Sequence, residues 1–422
     1  MKQIVLTEYQ SRLFFGLFQD GQPVEISFYD RTPGFQLGDV FLARVQDIVP
    51  GIQAAFVGLT PNQKAYLPLE QAPAGLRCGD ELAVQLVKEA QKTKDPVVTT
   101  RLSLAGRLVV LTAGRCLIHV SSKISDSAWK AETRKRLSTL FENAAEGKMP
   151  AKDPNHPFGF IIRTGAYQAS TEEIFEEAAA LAEQYAGLCR AAATHACYSR
   201  LLQSEPAWLT RLYGLAGEWA AGCGIVTDLP DIYEQCQAFL SGHGMNPLFS
   251  LRLYTDAGYP LEKLYRLQTF IEELLDKRVW LKSGGYLVIE PTEAMVVIDV
   301  NTGKANGKKT KEETILRLNL EAAAEIARQL RLRNLSGMIL IDFIGMKQEA
   351  HQEQLMRFLR EAVRSDPAGV SVIDITKLGI VECTRRKTTR PVYEQLGTIP
   401  GRLFQAGGQA GGGGKKGETT TA

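Results

Sequence analysis

Apolar residues change their spacing several times along this chain, and each change marks a different kind of element. At the start, KQIVLTEY, SRLFFGLF and VEISFYD are short apolar runs parted by turn chemistry such as Asp20-Gly21. They predict a meander of strands too small to stand alone. From residue 36, GDVFLARVQDIVPGIQAAFVGL, QKAYLPLEQ, GDELAVQLVKEA and DPVVTTRLSL supply four to five strand candidates over about seventy residues. Glycine- and aspartate-containing turns divide them, a pattern that suggests a small closed barrel of the OB type. Phe56 and Tyr66 fall in its second and third strands, and Lys88, Lys92 and Lys94 follow in the fourth strand and the loop after it.

Helical spacing enters after residue 103. KISDSAWKAETRKRLSTLFENA predicts a helix, and HPFGFIIRTGAYQAS predicts a strand running into a glycine turn. Ser170 and Glu173 make a capping box ahead of an alanine-rich helix, whose apolar stripe is Ile174, Ala178, Leu181, Tyr185 and Leu188. Residues 203–270 carry short apolar runs and helices with weaker patterning. Residues 271–391 are the clearest: a helix to Lys277, a hairpin around Ser283-Gly284-Gly285, and then two apolar runs, MVVIDVNTG and GMILIDFIGM. A long helical pattern joins those two runs, with Leu316, Leu320, Ala323, Ala327 and Leu330 on one stripe. A helix in HQEQLMRFLREAVRSD and a last strand in GVSVIDITKLGIVE follow. Strands alternating with helices define an α/β region. The low-complexity tail AGGQAGGGGKKGETTTA is predicted to be disordered.

Length sharpens this picture. At 422 residues the chain exceeds one ordinary core, so several domains are expected. A net charge of only +2 means that any basic surface must be local. Seven cysteines form no CxxC pair, which argues against a disulfide framework or a cysteine zinc site and for isolated buried thiols in a reducing cytosol. The N-terminus MKQIVLTEYQ lacks signal-peptide pattern, and no run of eighteen apolar residues predicts a membrane span.

The candidate chemistry sits in the two apolar runs. Asp299 follows MVVI, Asn301 comes two residues later, and Asp342 follows MILI. A strand–helix–strand unit brings two such strand ends together at one edge of a parallel sheet, where open α/β sheets bind ligands. Two carboxylates and an amide oxygen there can hold a hard divalent cation. Mg²⁺ is the expected one, since it takes one or two carboxylates and keeps waters for a phosphate to displace. A charged residue after an apolar run also describes a plain strand end meeting solvent; two ends joined by a single helix favour the metal reading. Lys304, Lys308, Lys309 and Lys311 follow the first run as either a solvated loop or a polyphosphate contact. Arg328, Arg331 and Arg333 near the helix end suit its dipole. Asp374 reads equally as an extra acid or an exposed strand residue.

Phe56, Tyr66 and the nearby lysines read either as a base-stacking face or as barrel core. Arg163-Thr164-Gly165 ends a strand and can hold a phosphate, though such a triplet is common in plain turns. The five histidines have no metal-ligand spacing, and no GxSxG, P-loop or HExxH occurs.

PTEAMVVIDVNTGK, NLEAAAEIARQLRLRNLSGMILIDFIGM, AAFVGL, YLPLE and IIRTG together resemble the bacterial ribonuclease E/G family of endoribonucleases, from the first residues to about residue 390. The resemblance implies a multidomain α/β chain. Residues 1–35 and 203–270 would form a discontinuous RNase H-like fold, 36–102 an S1 (OB) RNA-binding domain, and 103–202 a 5′-sensor region. Residues 271–395 would be a DNase I-like catalytic domain and 396–422 the disordered tail. It implies that Asp299 and Asp342 bind Mg²⁺ with Asn301 assisting, that Arg163 and Thr164 recognise a 5′-monophosphate, and that Phe56, Tyr66 and Lys94 contact RNA. Tyr66 stands where a phenylalanine is usual. The expected activity is cleavage of single-stranded RNA to 5′-phosphate and 3′-hydroxyl ends, in cytoplasmic RNA processing and decay. Family members often carry a CPxC zinc-link after the catalytic domain. Here Cys383 is followed by the glycine-rich tail, so zinc is not expected, and a monomer or a dimer without that link is. A non-catalytic single-strand RNA-binding protein and a DNA-directed nuclease are the alternative readings.

Overall fold

The structure is a computed structural model that describes residues 1–31, 34–90, 95–145, 157–218, 222–256, 258–303 and 311–397. Lys92, Lys94, Lys304, Lys308, Lys309 and the predicted disordered tail lie outside the described residues. The chain divides into two compact units, residues 1–31, 223–234 and 251–422 in one and 32–222 and 235–250 in the other.

The first unit holds two sheets. Strands Lys2–Tyr9, Arg12–Gln19 and Gln22–Asp30 form the predicted meander. Its tight turns place Gln10, Ser11, Asp20 and Gly21 at positive φ, the conformation that two-residue hairpin loops demand. Cys223–Thr227 pairs parallel to Lys2–Tyr9, so a distant segment extends the sheet that the first thirty residues begin. Phe14, Phe18, Phe28, Val226 and Ile271 form its core.

The second sheet has six strands in the order Arg278–Trp280, Tyr286–Pro291, Met295–Asn301, Gly337–Asp342, Ile380–Arg385 and Val370–Ile375. Met295–Asn301 and Gly337–Asp342 are its parallel pair, and helix Lys311–Leu332 crosses between them as the sequence predicts. That helix and Glu349–Val363 bury Ile298, Val300, Ile339 and Ile341 on one face of the sheet. Residues of opposite phase, including Val297, Met338 and Ile373, are exposed on the other.

Several details differ from the sequence reading, and one is that the thiols are not all buried, since Cys78 and Cys116 are exposed. The helix stripe is rotated: Leu318, Ala322, Ala323, Ile326 and Leu330 are buried, while Leu316, Leu320 and Ala327 are half-buried. The cause is contact on two sides, since the same helix also packs on strand Gln22–Asp30, where Arg331 Nε meets Glu25 Oε2 at 3.2 Å. Arg333 is likewise buried, donating to Gln329 Oε1 and the Asp276 carbonyl, and burial lowers its pKa to about 10. The last predicted strand is two, Val370–Ile375 and Ile380–Arg385, because Gly379 at φ +86° folds the run into a hairpin.

The second unit contains the expected barrel. Val40–Val49, Ala54–Thr60, Gln63–Pro68, Val97–Thr99 and Glu81–Lys88 pair in that order, and the last returns to the first. Phe41, Val45, Val57, Leu59, Leu67 and Val84 fill its interior. A mixed sheet of Ile118–Val120, Phe158–Ile162, Val109–Ala113 and Ser103–Ala105 packs with helices Ser127–Ala145 and Thr171–Thr194. The predicted Ser170–Glu173 capping box is present, and all five predicted stripe residues of the second helix are buried. The whole is a mixed α/β, multidomain architecture with a five-stranded closed, OB-like barrel. Among the described residues, no helix is long and apolar enough to cross a membrane.

Candidate active site and nucleic-acid interface

Alternation along two strands builds the acidic site. Ile298 and Ile341 are fully buried beneath the helices, so the residues that follow them, Asp299 and Asp342, emerge on the exposed face. The parallel register pairs Asp299 directly with Asp342. Asn301, two residues on and on the same face, donates from Nδ2 to Asp299 Oδ2 at 2.7 Å. This bond orients the Asp299 carboxylate and leaves the Asn301 amide oxygen uncommitted by it. Hard oxygen donors on adjacent strand ends fit Mg²⁺. Among the described residues, no cluster of three or more His, Cys, Asp or Glu could hold a metal, so the carboxylates stand as a pair. Asp374 is not part of it: its strand lies two places beyond the Asp342 strand, and it lines a groove beside Gln352, Met356 and Arg360.

The segment after Asp342 is clamped from the helix side, which sequence reasoning missed. Asn319 is fully buried; its Nδ2 donates to the Ile344 carbonyl at 2.8 Å, and its Oδ1 accepts from the Ile344 N–H at 3.1 Å. Glu312 accepts from Lys347 N and Gln348 N at 2.8 and 3.2 Å. The Lys347 bond is the main cause holding the Glu312 carboxyl below its ordinary range. A lone asparagine on the apolar side of a helix was the available signal.

On the barrel, Ala55, Val57, Ala65 and Leu67 point inward, so Phe56 and Tyr66 point outward. They are cross-strand partners, half-buried, with ring centroids 6.1 Å apart and planes at 80°. They are therefore not barrel core. Lys94, the third residue expected on this face, lies outside the described residues.

Arg163 and Thr164 lie where strand Phe158–Ile162 ends. The Arg163 guanidinium sits 5.9 Å from the Tyr213 ring centroid. Burial pulls its pKa below the ordinary value, against opposing pulls from Glu177 and Tyr213. Among the described residues, no ion pair neutralises it. Thr164 shares a 2.8 Å hydrogen bond with the Ser121 hydroxyl, and Ser121 Oγ accepts from Lys123 N. A half-desolvated cation beside two hydroxyls suits an anionic ligand. Tyr213 and Ser121 come from distant segments and carry no motif.

Fold and site together define a class: a multidomain α/β protein with an OB-like barrel and, on a separate sheet, a paired-carboxylate site. The model of the Ribonuclease E/G family matches residues 103–388. The chain is 32% identical over 412 residues to Ribonuclease E of Nostoc sp., covering 94% of this chain and 57% of that protein. It is 32% identical over 392 residues to Ribonuclease G of Escherichia coli K12, covering 85% and 74% respectively. Ribonuclease G of Haemophilus influenzae is 33% identical over 389 residues. The chain belongs to the ribonuclease E/G family and is a homologue of its endoribonucleases.

Proposed function

We propose that this chain is a Mg²⁺-dependent endoribonuclease acting on single-stranded RNA and leaving 5′-phosphate and 3′-hydroxyl ends. The observation that carries this reading is the in-register pairing of Asp299 and Asp342 on an exposed sheet face, with Asn301 bonded to Asp299. Asp299 and Asp342 hold the cation, and Asn301 keeps the Asp299 carboxylate aimed at it. When bound, Mg²⁺ polarises the scissile phosphate and lowers the pKa of a water. In hydrolysis a water oxygen bonds to phosphorus while the bond to the 3′ oxygen breaks.

Residues 36–102 serve as the S1-type RNA-binding domain, with Phe56, Tyr66 and Lys94 as its contacts, and 103–202 as the sensor of a 5′-monophosphate through Arg163 and Thr164. Residues 1–35 and 203–270 form the RNase H-like part, and 271–395 the DNase I-like catalytic domain. The work is cytoplasmic RNA processing and decay. Cys383 is buried and has no second cysteine close to it in sequence, so it is a poor start for a zinc site. Any self-association there rests on ordinary packing.

The test is cleavage of a short labelled single-stranded RNA with and without Mg²⁺. Asp299→Asn and Asp342→Asn should each abolish cleavage and leave RNA binding largely intact, since neither residue belongs to the barrel. Near wild-type cleavage by either variant would refute the assignment.

A further inference from the structure

We propose that Arg278, Trp280 and Tyr286 form a nucleotide-binding platform next to the acidic pair, stacking one unpaired base of the RNA that flanks the scissile phosphate. The proposal rests on Asp299 and Asp342 being the cleavage centre. Residues opposed in an antiparallel register share a face. Trp280 opposes Tyr286, and Tyr286 opposes Asn301; Arg278 opposes Val288, and Val288 opposes Asp299. The three side chains therefore stand on the same face as the carboxylates. Tyr286 is one strand from Asn301, and Trp280 is two, on the order of 10 Å.

The cluster has the chemistry of a base site. The Trp280 and Tyr286 ring centroids lie 5.3 Å apart with planes at 58°. The Arg278 guanidinium is 4.7 Å from the Tyr286 centroid and 5.7 Å from that of Trp280. Yet Trp280 remains 64% exposed, so its neighbours leave most of the indole open. An exposed aromatic takes any base by its π-face, and a nearby arginine can add stacking or a phosphate contact.

The platform is also held in place. The hairpin turn carries Gly284 at φ +90°, and Leu281 N bonds the Gly285 carbonyl at 2.8 Å. A Cβ on Gly285 would lie 2.8 Å from the Asn301 carbonyl oxygen, and one on Gly303 would lie 2.2 Å from that of Gly284. The turn is thus packed backbone to backbone against the end of the Asp299 strand. Ser283 N also bonds Glu321 on the crossing helix at 3.2 Å. Arg278 and Trp280 thereby belong to the same rigid strand set as Asn301.

The test uses the full chain and a ten-nucleotide single-stranded RNA. Affinity is measured in the Asp299→Asn background, so that no substrate is consumed, and cleavage in the otherwise wild-type background. Trp280→Ala should weaken binding by about 5- to 100-fold, as loss of one base stack does, with Trp280→Phe recovering most of it. An abasic residue scanned along the RNA should abolish the Trp280→Ala penalty at one position beside the cleaved bond. A hairpin-stabilising role alone would lower the melting temperature and leave affinity of the folded protein and the abasic scan unmoved; that result overturns the platform. If Asp299→Asn is inactive while Trp280→Ala binds like its parent, the platform falls and the cleavage centre stands. If Asp299→Asn cleaves like wild type, the cleavage centre falls, and the platform's assignment to it falls too.

Discussion

Replacing Asn319 by alanine tests whether the strand end that carries Asp342 is held from beneath. Strand pairing ends at Asp342, so the backbone of Ile344 has no ladder partner, and Asn319 supplies both of its hydrogen bonds. An interior asparagine is a poor helix former, and burying it is worthwhile only if its amide is fully used. Alanine leaves a half-buried N–H and C=O without partners, each worth about 1–3 kcal/mol when orphaned. Partial access to water trims the pair to roughly 2–4 kcal/mol. Urea unfolding should register that loss, and hydrogen exchange at the Ile344 amide should accelerate at least about tenfold, since 1.4 kcal/mol corresponds to a factor of ten. Cleavage should fall mainly in kcat under conditions where the variant stays folded, because binding surfaces elsewhere are untouched. Glu312→Gln, at a half-buried carboxylate grasping the far end of the same segment, should have the milder effect. If Asn319→Ala unfolds within about 0.5 kcal/mol of wild type, with unchanged exchange at Ile344, the clamp does not exist.

Three further outcomes follow from the other sites. Arg163→Ala should reduce cleavage of 5′-monophosphorylated RNA by about 1.5–3 kcal/mol in kcat/KM, the usual size of a charged hydrogen bond, and spare 5′-hydroxyl RNA; equal loss on both would mean that Arg163 only supports the fold. Phe56→Ala and Tyr66→Ala should each weaken single-strand binding by about 1–3 kcal/mol, and a drop in melting temperature with unchanged affinity of the folded fraction would assign both rings to structure. Stability should fall between about pH 9 and pH 11: burial raises Cys223 and Cys383 to about 11 and Cys236 to about 12, so the unfolded chain releases these protons first and gains as pH rises. A urea midpoint unchanged across that range would contradict this.

What could be read from residue order depends on how local its cause is. The Ser170–Glu173 cap and the stripe from Ile174 to Leu188 are decided within one helix, and both are present. The barrel was legible from strand count and spacing, and its closure places Phe56 and Tyr66 outside by simple alternation. Three features needed pairings between distant segments. Cys223–Thr227 pairs with Lys2–Tyr9 from a distant part of the chain, which no window of sequence reveals. Tyr213 lies beneath Arg163 because a helix from another stretch brings it there. Trp280 becomes a neighbour of the acidic site only through the register of two hairpin strands. Asp374, which reads equally as an extra acid or an exposed strand residue, is exposed on the edge strand, because the hairpin at Gly379 reverses the order of the last two strands.

The acidic pair depends on a register that the core enforces. Each aspartate is the first charged residue after a fully buried isoleucine, and Ile298 and Ile341 are themselves opposed in the parallel pair. A slip of one residue between these strands would turn Ile341 outward and bury Asp342 beneath helix Lys311–Leu332, exchanging an apolar contact for a desolvated carboxylate. The helix core therefore opposes the one error that would separate the two carboxylates. Asn319 and Glu312 carry the same constraint past the strand end, since both belong to the helix that buries the isoleucines. Core and site are thus two faces of a single alternation. A substitution such as Ile341→Thr, though it never touches substrate, should lower cleavage by loosening the Asp299–Asp342 register.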